Sequence, residues 1–428
     1  MTALDRDISF LGRERCMTVT RAILMTTVLL CTFAGVARGQ GRSLDYTQWR
    51  GPNRDGSAAS FTEPKTWPDQ LTMRWKVEVG EGYATPIVVG NRVYTHTRQG
   101  ENEVVSALDA ATGKVIWQTN YAAPYKMNPA TKNHGQGPKS TPLFFNGRLY
   151  TLGISGIVSA FDAASGKLVW QKPAPSVDPM YGTAMSPIAE RDLVIFHVGG
   201  HGQGALTAFD ATTGDVKWSW NGDGPAYASP IAVDLAGTRQ VVSVTQENVV
   251  GLSPSTGELL WKRPYLSKFT ANSITPIVYG DTIIVSEQEK GMEAFRVTRK
   301  NDQWSTSNVW ESRDVSMALS NGVLIRDTLF GLSVRNRGQY FALDARTGKA
   351  LWLGEGREAT NTAVVKAGDL LFLLNDDAEL VVARSSPAGI EPLKRYTVAE
   401  SATWAQPAIS GNRIFVKDVS TIALWTVN

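Results

Sequence analysis

Cysteine is almost absent. The chain has two, Cys16 and Cys31, and both lie in a leader-like N-terminus. A processed chain would then have no disulfide, no thiolate metal site and no cysteine nucleophile. Histidine is scarce too, at four: His96, His134, His197 and His201. Charge of one sign is also missing. There are 43 Lys and Arg against 40 Asp and Glu, a net +3, without a basic block or an aromatic-interleaved stripe. That balance argues against a nucleic-acid partner. After the leader no segment keeps a helical apolar period over three turns, which excludes helical bundles. No GxSxG, P-loop or ordered Ser/His/Asp set stands out, and GEGYA from Gly80 lacks the lysine of a phosphate loop.

The first thing present is an export signal. Arg13, Arg15 and Arg21 precede the apolar run AILMTTVLLCTFAGVA, and small residues follow at Ala37 and Gly39. This predicts a signal peptide cut before Gln40, with Met17 as the true start and residues 1–39 as leader. The run is short for a spanning helix, so no stable membrane span is expected after cleavage, and the protein is expected to be periplasmic or secreted. Leu30, ahead of Cys31, is too large for lipidation at that cysteine.

The second is an eleven-residue repeat. ALDAATGKVIW (Ala107 to Trp117) returns as AFDAASGKLVW, AFDATTGDVKW, GLSPSTGELLW and ALDARTGKALW, ending at Trp170, Trp218, Trp261 and Trp352. In step with it run Thr85-Pro86, Thr141-Pro142, Ser186-Pro187, Ser229-Pro230 and Thr275-Pro276, with weaker copies at Ser320-Asn321-Gly322, Thr362-Ala363 and Gln406-Pro407. Each is followed by a Gly/Asn/Asp turn and an apolar strand. Spacing is near constant except for a longer first interval. Tight hairpin turns need positive φ angles, which these residues supply. Four antiparallel strands per unit, repeated eight times, predict an all-β, eight-bladed propeller, with seven blades as the alternative.

The repeated residues read as structure. Asp109, Asp162, Asp210 and Asp344 are expected to accept turn amides, and Gly113, Gly166, Gly214, Gly257 and Gly348 to take the left-handed position. Trp117, Trp170, Trp218, Trp261 and Trp352 are expected to wedge between blades. Units five and seven are degenerate: one carries FRVTRKNDQWSTSNVW, and the other has Tyr396 at the Trp place. The last unit is one strand short, and MRWKVEV (Met73 to Val79, with Trp75 at the Trp position) is expected to complete it. The propeller then spans 72–428, after an extension over 40–71.

The A-x-D-x-x-[TS]-G-[KDE]-x-x-W stretches resemble the repeats named after pyrroloquinoline quinone (PQQ), found in quinoprotein alcohol dehydrogenases and in BamB-like propellers of outer-membrane protein assembly. WRGPNRDG, Trp49 to Gly56, resembles the N-terminal segment of a secreted bacterial subgroup. The resemblance implies either a protein-binding or assembly scaffold, or an alcohol or sugar oxidoreductase using PQQ with Ca²⁺, a catalytic Asp and commonly adjacent cysteines. No Glu, Asn and Asp set transfers here position by position, so neither cofactor nor catalytic residue is expected, with PQQ and Ca²⁺ as the alternative.

Residues just ahead of each Ser/Thr-Pro step are expected to border the channel mouth: Tyr83, Lys139, Met185, Tyr227, Asn272, Met317, Asn361 and Trp404. Such a rim could take a peptide, a small molecule or a glycan, or be a plain water-filled entrance. It holds no carboxylate, and Glu287 and Glu289 are expected on an outer loop. An insertion, Lys126 to Ser140, carries His134. HVGGHGQG sets His197 and His201 four apart in an expected glycine-rich loop, with no Glu or Cys to complete a metal site. His96 is expected to be an ordinary strand residue.

Overall fold

The computed structural model describes residues 43–177, 179–267 and 270–427. The leader and its processing site therefore lie outside the described residues. Eight four-stranded antiparallel sheets form the ring of a β-propeller. β1 (Thr72–Glu78) belongs to the last blade. Blade one is β2 (Ile87–Val89), β3 (Arg92–Gln99), β4 (Asn102–Asp109) and β5 (Val115–Ala122), counted outward from the channel. Blade eight has three strands from the C-terminus, and β1 pairs with its Thr421–Thr426 strand from Thr72↔Thr426 to Glu78↔Thr421. The ring is thus closed by strand exchange between the two ends of the described chain, which leaves neither blade eight nor the N-terminal strand unpaired.

The ladder register explains the first residue of the repeat. Ala107 faces Trp117, Ala160 faces Trp170, Ala208 faces Trp218, Gly251 faces Trp261, Ala294 faces Trp310 and Ala342 faces Trp352. A register shift follows directly at each of these pairs. The extra residue is a β-bulge, which bends the outer strand so that the indole swings toward the next blade. In blade four even a methyl is excluded opposite the indole: a Cβ on Gly251 would stand 2.2 Å from Trp261 Nε1.

Five of the indoles then find the next blade's turn. Trp75, Trp117, Trp170 and Trp310 donate from Nε1 to the carbonyls of Ala110, Ala163, Ala211 and Ala345, and Trp218 to Pro254. The turn is built as its sequence demands. Asp109 Oδ1 accepts from the Ala111 and Thr112 amides, and Gly113 sits at φ 72°. Trp170, Trp218 and Trp261 are buried, whereas Trp117 and Trp352 are half-buried. Trp261 departs from the pattern: it donates to Gln240 Oε1 in its own blade. Trp310, at the end of the degenerate stretch of unit five, fills the repeat's Trp position in that blade.

Candidate functional site at the channel and its mouth

A belt of hydrogen bonds runs around the inner strands at the Ser/Thr-Pro level. The amide of Thr85 donates to Thr141 Oγ1, Thr141 to Ser186 Oγ and Ser186 to Ser229 Oγ, at 3.3, 2.9 and 2.9 Å. Thr275 donates to Asn321 Oδ1 at 2.9 Å. The hydroxyl of the motif therefore links one blade to its neighbour, and the proline that follows ends donation into the channel.

Above this belt, the expected rim residues divide into two groups. Tyr83, Lys139, Tyr227 and Trp404 are partly exposed. Met185 and Met317 are 1% and 0% exposed and belong to interblade cores, so they are packing residues rather than open rim. Asn272 is buried, with its Nδ2 donating to the carbonyls of Thr245, Gln246 and Tyr265. Asn361 is buried as well, accepting from Ser320 Oγ and donating its amide to Asp376 Oδ1.

The insertion lies over the mouth. Its short 3₁₀ turn Pro129–His134 sets His134 edge-on to Trp404, with ring centroids 4.5 Å apart. Lys139 Nζ donates to Tyr181 O at 3.0 Å, and the Tyr181 ring lies 5.9 Å from that of Tyr227. Burial lowers the Lys139 ammonium to about 8, and burial with nearby Lys139 lowers His134. Loops of blades one, two, three and eight thus meet over one part of the rim.

A cavity of about 300 Å³ opens on another part. Asn272, Ser286, Glu287, Gln288, Met317, Leu319, Ser320 and Asn361 are among its walls. Glu287 is therefore not on an outer loop as expected. The strand Thr282–Glu287 runs back from the opposite face, so its last residue comes up at the mouth. Its Oε2 accepts from the Glu289 and Lys290 amides, both at 2.9 Å.

The histidines do not assemble. His197 is on a strand (Leu193–Gly200) rather than in the glycine-rich loop expected, because that segment forms a hairpin with Gln203–Asp210. Its Nε2 donates to Asp223 O, while His201 on the hairpin turn meets Thr270 Oγ1. His96 lies on β3 beside Glu103 and Tyr121 in a buried polar contact. Among the described residues no group of three His, Cys, Asp or Glu side chains could hold a metal ion.

The feature with no account in the sequence is the occupant of the channel. Tyr46 exchanges both backbone bonds with Val88 of blade one, and Phe144 of blade two donates to Thr47 O. Arg54 donates to Ser186 O and Pro187 O of blade three and Pro230 O of blade four. Trp49 Nε1 donates to Thr275 Oγ1 of blade five, and Arg50 to Gly322 O of blade six. Ala58 donates to Lys366 O of blade seven and Ala59 to Ile409 O of blade eight. Residues 46–59 thus bond to all eight inner strands. The centre of the channel is protein, not an open pore.

A ring of eight four-stranded blades, five of them joined to the next through a Trp and a T-G turn, defines an eight-bladed propeller of PQQ-like repeats. The family described as outer membrane protein assembly factor BamB matches residues 71–121 and 101–353, and the chain belongs to that family. BamB of Yersinia pestis is 25% identical over 328 residues, 74% of this chain and 69% of that protein. The dehydrogenase subunit of a quinone alcohol dehydrogenase from Acetobacter aceti is 26% identical over 304 residues, 63% of this chain but only 39% of that subunit. Among solved structures, BamB of Moraxella catarrhalis aligns with a TM-score of 0.61 at 17% identity, over 83% of this chain and 97% of that one. The quinohemoprotein alcohol dehydrogenase of Comamonas testosteroni aligns at 0.63 and 17%, over 90% and 81%. These likenesses describe a shared fold.

Proposed function

We propose that the protein is an exported scaffold, periplasmic or secreted, that binds a protein or peptide partner on its mouth face. One observation carries the reading: apolar side chains on the rim of the mouth cavity stand in solvent, while most of the buried polar atoms beside them, Asn272 Oδ1 excepted, are engaged within the fold. Leu319 and Val334, on the cavity rim, are 58% and 36% exposed, and Leu266, beside rim residue Ser267, is 52% exposed. Exposed apolar groups bordered by satisfied polar ones mark interaction surfaces. Relatives named as outer membrane protein assembly factors support a partner that is protein.

A second reading, a PQQ- and calcium-dependent oxidoreductase, is favoured by one atom. Asn272 Oδ1 is a buried acceptor without a protein partner, and Asn272 lines the same cavity as Glu287. Calcium takes about 6–8 oxygen ligands, whereas one carboxylate oxygen there already caps two amides. Asn272 and Glu287 together supply few of those oxygens, which supports the scaffold reading over this one. The test places a photo-crosslinking amino acid at Leu319, with exposed Val115 as control. Discrete protein adducts at Leu319 alone support the scaffold. Adducts equal at both positions, or a thermal shift needing both PQQ and Ca²⁺ with dye-linked alcohol oxidation, would overturn it.

A further inference from the structure

The neck of the channel has a one-sided chemistry. At the Ser/Thr-Pro level the hydroxyls of Thr141, Ser186 and Ser229 are taken by the interblade belt and the prolines have no N–H, so the inner strands there turn carbonyl oxygens toward the axis. Ser186, Pro187 and Pro230 supply them on one side and Gly322 on another. Water brings acceptors as well as donors to such a place. A guanidinium brings five donors in one plane and no acceptor, whereas an ammonium has three donors on a tetrahedron. Arg54 matches the geometry. Its Nε donates to Pro230 O at 2.7 Å, Nη1 to Pro187 O at 2.9 Å and Nη2 to Ser186 O at 2.6 Å.

The segment is folded to present these groups. Gly56 donates its amide to Arg50 O at 2.9 Å, and Arg54 donates to Gly51 O at 3.1 Å, which closes RGPNRDG into a compact loop. Gly51 and Gly56 stand at φ 82° and 83°, and added Cβ atoms would meet Ser57 O at 2.2 Å and Val323 Cγ1 at 2.5 Å. No other residue fits either place without displacing the loop or the wall. Burial lowers Arg50 to about 10, with Asp55 opposing the shift, and lowers Arg54 to about 9. Arg54 is thus held by the neck's main-chain carbonyls and by Gln48 Oε1 of its own segment, to which Nη1 donates at 3.2 Å, and no carboxylate is bonded to it.

We propose that the neck of the propeller is a guanidinium-binding site made of main-chain carbonyls, and that residues 46–59 are its tethered ligand and the pin that holds the ring shut. The pin is a closure separate from β1. The β1 strand joins blade eight edge to edge, whereas the pin ties all eight inner strands to one peptide. Lys65 and Thr66, in the connection between the two, are exposed.

The experiment uses the full chain with a protease site placed at Lys65–Thr66. After cutting, the N-terminal fragment should co-elute with the propeller in gel filtration, and a synthetic peptide of residues 43–61 should exchange into it. In the same cuttable chain, Arg54→Lys and Arg54→Met should both release the fragment at least tenfold faster. Loss of the wild-type fragment on dilution with an unchanged melting temperature would overturn the pin. Wild-type retention by Arg54→Lys would overturn guanidinium recognition in favour of simple charge. Should Arg54→Met not fold, the cut wild-type chain and Arg54→Lys still decide.

Discussion

Gly214 leaves no room for a side chain beside Trp170. A Cβ there would stand 2.6 Å from Trp170 Cδ2, and the indole nitrogen donates to Ala211 O at 3.3 Å, one turn of chain away. The same pair recurs as Trp117 with Gly166, Trp218 with Gly257 and Trp310 with Gly348. The two ends of the eleven-residue repeat thus meet across a blade boundary, end of one copy against turn of the next. Trp170→Ala is expected to cost on the order of 3–5 kcal/mol. Gly214→Ala, at φ 76° and against the ring, is expected to cost about 1–3 kcal/mol. The double variant should lose less than the sum of both, because the single losses share one contact. Chemical denaturation of the three variants checks this, and strict additivity would deny the pairing.

Half-buried Trp117 and Trp352 should matter less than buried Trp170 and Trp218. The ordering of melting temperatures across the four Trp→Ala variants measures it, and an inverted order would contradict the burial argument.

The interblade belt predicts a cost at a position that looks neutral in sequence. Ser229→Ala removes the acceptor of the buried Ser186 amide. A buried donor left unpaired costs about 1–3 kcal/mol. Ser229→Thr, which keeps the hydroxyl, should recover most of the loss in the same unfolding measurement.

His197 gives the fold a pH dependence. Burial lowers its imidazole from the ordinary 6.5 to about 4, against an opposing bond to Asp223 O. Between those values the unfolded chain binds a proton that the native chain does not, so stability falls as pH drops from 6.5 toward 4. The contribution is roughly 3 kcal/mol at most. His197→Gln should flatten the stability-versus-pH curve over that window. A curve parallel to the parent's would assign the acid sensitivity to other groups.

Leu266 and Leu319 are the variants that separate binding from folding. Exposed positions of this kind usually change stability by less than about 0.5 kcal/mol. With the photo-crosslinking amino acid at exposed rim residue Val334 instead, Leu266→Ser and Leu319→Ser should therefore keep the parent melting temperature while reducing crosslinked adducts at the mouth several-fold. Unchanged adducts would move the partner surface elsewhere.

The sequence by itself determined the ring. Period, turn residues and the Trp-ending strands are local signals, and repetition multiplies them, so the eight blades and the closing strand around Trp75 were legible without coordinates. Even blade five, whose turn motif is lost, keeps Trp310 at the place the period assigns. What the tertiary structure alone decided lies at the axis and the mouth. There, residues from eight different blades meet, and nothing in the spacing of one blade says what faces another. Met185 and Met317 turned into the core because their blades pack there, and Glu287 rose to the mouth because its strand returns to that face. In the sequence Arg50 and Arg54 stand only as letters of the WRGPNRDG segment, without a role of their own. Only the closed ring supplies the carbonyls, from blades three, four and six, that make their burial possible.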